Sequence, residues 1–218
     1  PSGTVTAKGK GAGFLAEPQK LDQFLDQIFS KLDMKISIKT RIGTHYEEDW
    51  EYLLAIYEKY PIHELIIHPR IQTDMYRGVP RLGAYEKAVN RLKMPLCYNG
   101  NLFSAADYKR ITERFPDTCC FMYGRGLITN PGLITEIREG IRPNKKTVRE
   151  FHDCLFEEYR ELLSGERNVL FRMKELWSYM AINFTNYEKY AKKIKKSQHL
   201  SEYSSVVSSL FAEQDLID

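Results

Sequence analysis

The chain has no run of about 18 or more apolar residues and no charged-then-apolar opening, which leaves a membrane-spanning helix and a secretory leader without support. It has no Cys-x-x-Cys pair: Cys97, Cys119, Cys120 and Cys154 are its only cysteines, and Cys119-Cys120 lies in an apolar stretch. They read as reduced, buried small hydrophobes, and no metal site is expected. Excess charge is scarce too, with 32 Lys and Arg against 29 Asp and Glu, a net charge of +3. That balance argues for nothing by itself, but it is uneven: residues 167 to 196 hold eight Lys or Arg and two Asp or Glu. A cytoplasmic protein of 218 residues with 43% hydrophobic content is the expectation, enough for a packed core.

Four segments end in residues that chemistry can use: Ile36-Ser-Ile-Lys39-Thr-Arg41, Leu65-Ile-Ile-His68-Pro-Arg70, Leu96-Cys-Tyr-Asn99-Gly100-Asn101 and Cys120-Phe-Met-Tyr-Gly124-Arg125-Gly126. From Lys39 to His68, Asn99 and Gly124 the steps are 29, 31 and 25 residues, each the length of one strand-plus-helix unit. Parallel strands at that spacing gather their polar ends at one rim, where an α/β barrel keeps its active site. Helical periodicity from Pro18, from Asp49, over 85–92 and over 104–115 fills the intervals, with Ser104 as N-cap and Asp107 at the third helical position.

The opening Pro1-Ser-Gly-Thr-Val-Thr-Ala-Lys8-Gly-Lys10-Gly-Ala-Gly has neither strand nor helix pattern and reads as a flexible loop, with further sequence expected before it. Asn130-Pro131 begins a short helix, and Gly140-Ile-Arg-Pro143 reads as a domain boundary. Beyond it, 147–163, 168–180, 186–194 and 201–211 are helical with no strand between them. The expected fold is α/β: four parallel strands with helices, the C-terminal half of a TIM (β/α)8 barrel over 1–140, followed by an all-helical bundle over 141–218.

In order and spacing, Pro1-Ser-Gly-Thr-Val, Gly11-Ala-Gly-Phe-Leu, Ile38-Lys39-Thr-Arg41-Ile-Gly43, Ile67-His68-Pro-Arg70, Tyr98-Asn99-Gly100-Asn101 and Gly124-Arg125-Gly126 together resemble the tRNA-dihydrouridine synthase family. The resemblance implies the last four units of a flavin-binding barrel plus a helical tRNA-binding domain. It implies FMN as cofactor, NADPH as reductant and reduction of the C5=C6 bond of a uridine in tRNA. The family's catalytic cysteine stands in a Gly-Cys-Pro motif, so its counterpart is expected one residue before Pro1, and the chain by itself is expected to be inactive.

For the cofactor the candidates are Lys39, His68, Asn99, Gly100, Asn101, Gly124 and Arg125. A cation at Lys39 suits the negative charge of a reduced flavin, and His68 offers a ring hydrogen bond. The glycines let backbone approach a phosphate, beside the donor fork of Arg125. For uridine and tRNA the candidates are Arg41, Arg70 and Arg77 at the rim, and Arg172, Lys174, Lys192 and Lys193 in the tail. Arg81 reads as a solvated loop arginine and Trp177 as core. Two rival readings stay open: another FMN- or phosphate-binding barrel oxidoreductase acting on a small molecule, and a non-catalytic RNA-binding protein.

Overall fold

A computed structural model describes residues 2–217. The expected start after a catalytic cysteine falls at Pro1, outside the described residues. The chain forms two compact units, residues 1–101 with 109–123 and residues 102–108 with 124–218. The Gly140–Pro143 turn expected as a boundary thus lies inside the second unit.

The opening segment is not the patternless loop expected. Helix α1 (Gly3–Thr6) and a 3-10 helix (Gly11–Ala16) occupy it. The Thr6 hydroxyl donates back to the carbonyls of Ser2 and Gly3 at 3.0 and 3.2 Å, and the chain reverses where Gly9 and Gly11 take φ of 64° and 57°. Helix α2 (Pro18–Lys31) follows with Pro18 in its first turn.

Strand β1 (Ser37–Arg41), helix α3 (Asp49–Tyr57), strand β2 (Glu64–His68), helix α4 (Leu82–Arg91), strand β3 (Leu96–Asn99), helix α5 (Ala105–Arg114) and strand β4 (Cys120–Met122) then alternate. The four strands are parallel and lie side by side in chain order. Sequential order without reversal is how successive units of an α/β barrel wind, and it differs from the doubly wound order that switches direction at the first strand.

Strand side chains alternate between two faces. One face carries Leu65, Ile67 and Tyr98, all 1% exposed or less, beneath the helices. There the hydroxyls of Thr40 and Tyr57 share a hydrogen bond of 2.8 Å, Trp50 donates its indole N–H to the Ala84 carbonyl at 2.8 Å, and Tyr85 packs edge-on against Tyr98 and Phe115. The other face is polar. Register sets Lys39 level with Ile66, Ile66 with Cys97, Cys97 with Cys120, and Arg41 with His68.

Helix α5 starts as its sequence dictates: the Ser104 hydroxyl accepts the Asp107 N–H at 3.1 Å, and the Asp107 carboxylate accepts the Phe103 N–H at 3.1 Å. After β4 comes helix α6 (Arg125–Thr129), where a strand-end loop was expected, and then α7 (Leu133–Glu139). Gly126 is buried in α6, where a Cβ would collide with the Leu102 carbonyl.

The rest of the second unit is helical: α8 (Lys145–Leu162), α9 (Glu166–Met180), α10 (Tyr187–Lys196) and α11 (Leu200–Glu213). Their shared core includes Val148, Met173, Trp177, Phe184, Tyr203 and Leu210, so Trp177 is core as expected. Within it Trp177 Nε1–H donates to Tyr203 Oη at 2.7 Å, and Tyr203 Oη lies 2.6 Å from His152 Nε2. Tyr203 accepts from Trp177 and so has its own proton to give to His152, which places the remaining imidazole proton on Nδ1, 2.7 Å from Asp153 Oδ1.

Burial holds the His152 imidazole below its usual value of 6.5, against the opposing pull of Asp153. A histidine kept neutral in the folded state leaves the unfolded chain to take the proton first as pH falls. Stability is therefore full above pH 6.5 and declines below it, down to the folded-state value. The urea midpoint should drop between pH 7.5 and 5.5, and His152→Gln, although less stable throughout, should flatten that slope. An unchanged slope would remove His152 as its source.

Candidate functional site at the polar rim

Lys39 leans from the middle of β1 across the polar face and donates its ammonium to Asn99 Oδ1 at 2.8 Å. The other end of the same amide, Asn99 Nδ2–H, donates to the Met122 carbonyl at 2.7 Å. This second bond fixes which end of the amide faces the lysine, so a chain of two hydrogen bonds crosses from β1 to β4. The Lys39 ammonium is held below the usual lysine range, first by burial of its head against the sheet and then by Arg41, although the residue as a whole is exposed. A cation of lowered pKa on an open sheet face suits an electron-rich partner.

His68 ends β2, 6% exposed, and its Nε2 lies 3.0 Å from a guanidinium nitrogen of Arg70. Arginine only donates, so Nε2 accepts and the imidazole proton sits on Nδ1.

Arg70 is fully buried at 0% exposure. Besides His68 it reaches the carbonyls of Arg77 and Gly78 at 3.3 and 2.5 Å and Asn101 Oδ1 at 3.3 Å. Arg41, also buried, donates to the carbonyls of Ile71 and Met75 at 2.7 Å each. Burial pulls Arg41 below the ordinary arginine range, while Tyr76 and Asp74 oppose it. Both guanidiniums therefore hold the loop 71–81. Neither stands out on the surface as a residue waiting for phosphate would.

Met75, whose carbonyl Arg41 holds, has φ of 54°, a conformation a long side chain adopts only when its surroundings impose it. Nor is Arg81 a solvated loop residue: it pairs with Asp74 and, at 3.0 Å, with Glu47. Although burial raises it, the Asp74 carboxyl is held below the usual range by Arg81. Arg77 is exposed on this loop. So is Tyr76, whose ring centroid lies 5.8 Å from Arg41 Cζ and 6.3 Å from that of His68. Sequence reasoning passed over Tyr76 because a lone tyrosine in a loop carries no periodic signal. It also passed over Glu64 and Cys97, whose positions on the polar face follow from register.

Gly100 is buried against Pro80 and the Tyr98 hydroxyl, and Asn101 takes φ of 24°. In the second unit Gly124 precedes α6, with no described protein atom within 4 Å of where a Cβ would stand, and Arg125 Cζ lies 5.4 Å from the Phe103 ring.

Further along, Lys192, Lys193, Lys195 and Lys196 are exposed on α10, whose buried side is Tyr190 and Ile194. Lys189, Lys192, Lys193 and Lys196 follow the 3-4-7 spacing of one helical stripe. The ammonium of Lys174 donates to the carbonyl of Ser197, the C-cap of α10, where a cation complements the helix dipole. Arg172 pairs with Glu175 at 3.0 Å on the surface of α9.

The thiols depart from expectation. Cys97 is buried, Cys120 half-buried, and Cys119 and Cys154 are exposed. Among the described residues no three His, Cys, Asp or Glu side chains gather as a metal site, and no helix is long and apolar enough to cross a membrane.

The sequence model of the family described as dihydrouridine synthase (Dus) matches residues 1–215. The chain is 25% identical over 230 residues to the probable tRNA-dihydrouridine synthase 1 of Synechocystis sp., covering 100% of this chain and 60% of that protein. It is 24% identical over 171 residues to tRNA-dihydrouridine synthase B of Vibrio vulnificus, covering 78% and 52%. It is 26% identical over 187 residues to the tRNA-dihydrouridine(16) synthase of Shewanella oneidensis, covering 83% and 58%. The chain thus spans about half the length of the curated relatives it matches.

Arg41→Ala removes two charge-assisted hydrogen bonds, one to the buried Ile71 carbonyl and one to the part-buried Met75 carbonyl, and should cost about 3 kcal/mol. Amide exchange should then accelerate from Ile71 to Gly78 ahead of the strands. Uniform acceleration across the sheet would show that Arg41 does not act through the loop.

Proposed function

The chain belongs to the dihydrouridine synthase family, and from that membership we propose that it serves an enzyme that reduces the C5=C6 bond of a uridine in tRNA, with FMN as cofactor and NADPH as reductant. The observation that carries the reading is the lysine–asparagine pair, 2.8 Å apart, on the polar rim that also holds His68. FMN, when bound, supplies the hydride.

The rim residues fit such a group by their chemistry. The Lys39 ammonium offers positive charge to the electron-rich edge of a reduced pyrimidine ring, and Asn99 keeps it aimed. His68, its Nε2 occupied by Arg70, is the ring whose Nδ1–H serves as donor. Gly100 and Asn101 continue the same strand end. In the second unit, the open backbone at Gly124 and the guanidinium of Arg125 are proposed to take a phosphate.

Arg41 and Arg70 act one step back, holding the loop that presents Tyr76 and Arg77. A uridine drawn out of its stack needs an aromatic surface and a cation for its phosphate, and that loop exposes both. For tRNA backbone the proposed contacts are Lys192 and Lys193, with Lys189 and Lys196 in the same stripe, and Arg172 nearby in sequence on α9. Lys174 is proposed to keep the end of α10 in place. A tRNA substrate also agrees with a cytoplasmic protein.

A proton must reach C5 of the reduced base. Cys97 is 4% exposed and burial pushes its thiol up to about 12. Cys120 is pushed up to about 11, first by its hydrogen bond to Glu64. Neither suits proton delivery to an extruded base, and neither is the family's motif cysteine, which is the proposed donor. The chain alone is accordingly expected to show no dihydrouridine formation and weak FMN retention.

In a protein extended to the length of its relatives, Lys39→Ala should weaken FMN binding about tenfold, roughly 1.4 kcal/mol, in a fluorescence titration. Lys39→Arg should recover part of the loss, and unchanged affinity in Lys39→Ala would refute the assignment. For RNA, Lys192→Ala with Lys193→Ala should lower the slope of log K against log[salt] for tRNA by about 1.5 to 2, as for two lost phosphate contacts. A parallel shift without a change of slope would instead mean a structural effect.

A further inference from the structure

Adjacent residues of an extended strand point their side chains to opposite faces. Cys119 and Cys120 break that rule, because their sulfurs lie 3.8 Å apart. The break is built into the chain. Strand β4 begins only at Cys120, and the turn before it is fixed by the Thr118 N–H donating to the Phe115 carbonyl at 3.0 Å. The Thr118 hydroxyl also lies 3.1 Å from that of Tyr85, itself buried between Tyr98 and Phe115. The backbone just before the pair is thus anchored to the core, while Cys119 is exposed and Cys120 half-buried.

We propose that Cys119 and Cys120 form a chelating dithiol for soft, thiophilic acceptors that two sulfurs satisfy, namely trivalent organic arsenicals and Cu(I). Oxidation to a disulfide fits the pair less well. Neighbouring Cα atoms stand about 3.8 Å apart, below the usual disulfide span of about 4.4 to 6.8 Å, so that bond would be strained and readily reduced. Bridging by one soft atom needs no such closure, and thiolate sulfur is the preferred donor for Cu(I).

The chemistry balances without an oxidant. An arsenoxide R–As=O and two thiols give R–As(SR′)2 and water: two As–S bonds form, the As–O bonds break, the two thiol protons leave in the water, and arsenic and sulfur keep their oxidation states. With Cu(I) the two thiols bind as thiolates and release two protons.

Phenylarsine oxide added in equimolar amount to the folded chain tests this, read by intact mass and by thiol count. One bridging adduct per chain, formed with loss of water and consuming two thiols, is expected. Cys119→Ser and Cys120→Ser should each lower capture at least tenfold, whereas Cys97→Ser and Cys154→Ser should leave it unchanged. Because Cys97 is buried, near-ultraviolet circular dichroism of each variant confirms its fold before it is counted. Cu(I) should be withheld from a chromogenic chelator by the wild type, and at least tenfold less by the Cys119→Ser and Cys120→Ser variants. Capture that survives in Cys119→Ser, or a folded wild type that takes up neither phenylarsine oxide nor Cu(I), overturns the proposal.

Discussion

Two buried guanidiniums organise the rim. Arg41 and Arg70 end β1 and follow β2, and each turns its donors inward onto carbonyls of the loop 71–81. A loop of that length has many backbone groups to satisfy and little periodic structure with which to do so. Supplying the donors from charged side chains within the protein fixes the loop, and with it the left-handed Met75 and the exposed Tyr76 and Arg77. The same Arg70 sets the His68 tautomer, so loop position and ring chemistry share one cause.

The sheet divides labour by parity. Odd positions of β1 carry Lys39 and Arg41 and even positions carry Ile38 and Thr40, and parallel register carries that division across all four strands. Helices cover the apolar face, where aromatic packing and hydroxyl pairs satisfy the tyrosines. Charge collects on the other face, and Lys39, Asn99 and the Met122 carbonyl link β1 to β4 across it. In the second unit, basic residues lie outside a core of rings and aliphatics, and the His152–Tyr203–Trp177 chain brings titratable chemistry inside.

Much of this was legible in the residues. The spacing from Lys39 to His68, Asn99 and Gly124 located the strands to within a residue or two, and Ser104 with Asp107 announced the start of α5. Lys39 was singled out as a cation at a strand end, and the structure gives it a defined neighbour in Asn99. Spacing did not distinguish a guanidinium that faces solvent from one that faces loop carbonyls. Arg41 and Arg70, rim candidates for uridine and tRNA, turn onto loop carbonyls; Arg81, read as solvated, pairs with Asp74 and Glu47; and Lys174, grouped with the exposed lysines of α10, donates to the carbonyl of its C-cap. The cysteines were read as uniformly buried because their neighbours in sequence are apolar, whereas exposure depends on what packs above them.

The sequence alone determined the parallel α/β units, the helical tail, the family and the list of charged residues, because hydrophobic period and motif spacing are local properties of the chain. The tertiary structure decided which of those charges face inward, which nitrogen of His68 and His152 holds the proton, and that two neighbouring sulfurs meet. Each of these depends on groups far apart in the chain: Arg41 with Met75, His152 with Tyr203, and Thr118 with Tyr85. A hydrogen bond is directional and short, so only the folded backbone settles which donor reaches which acceptor.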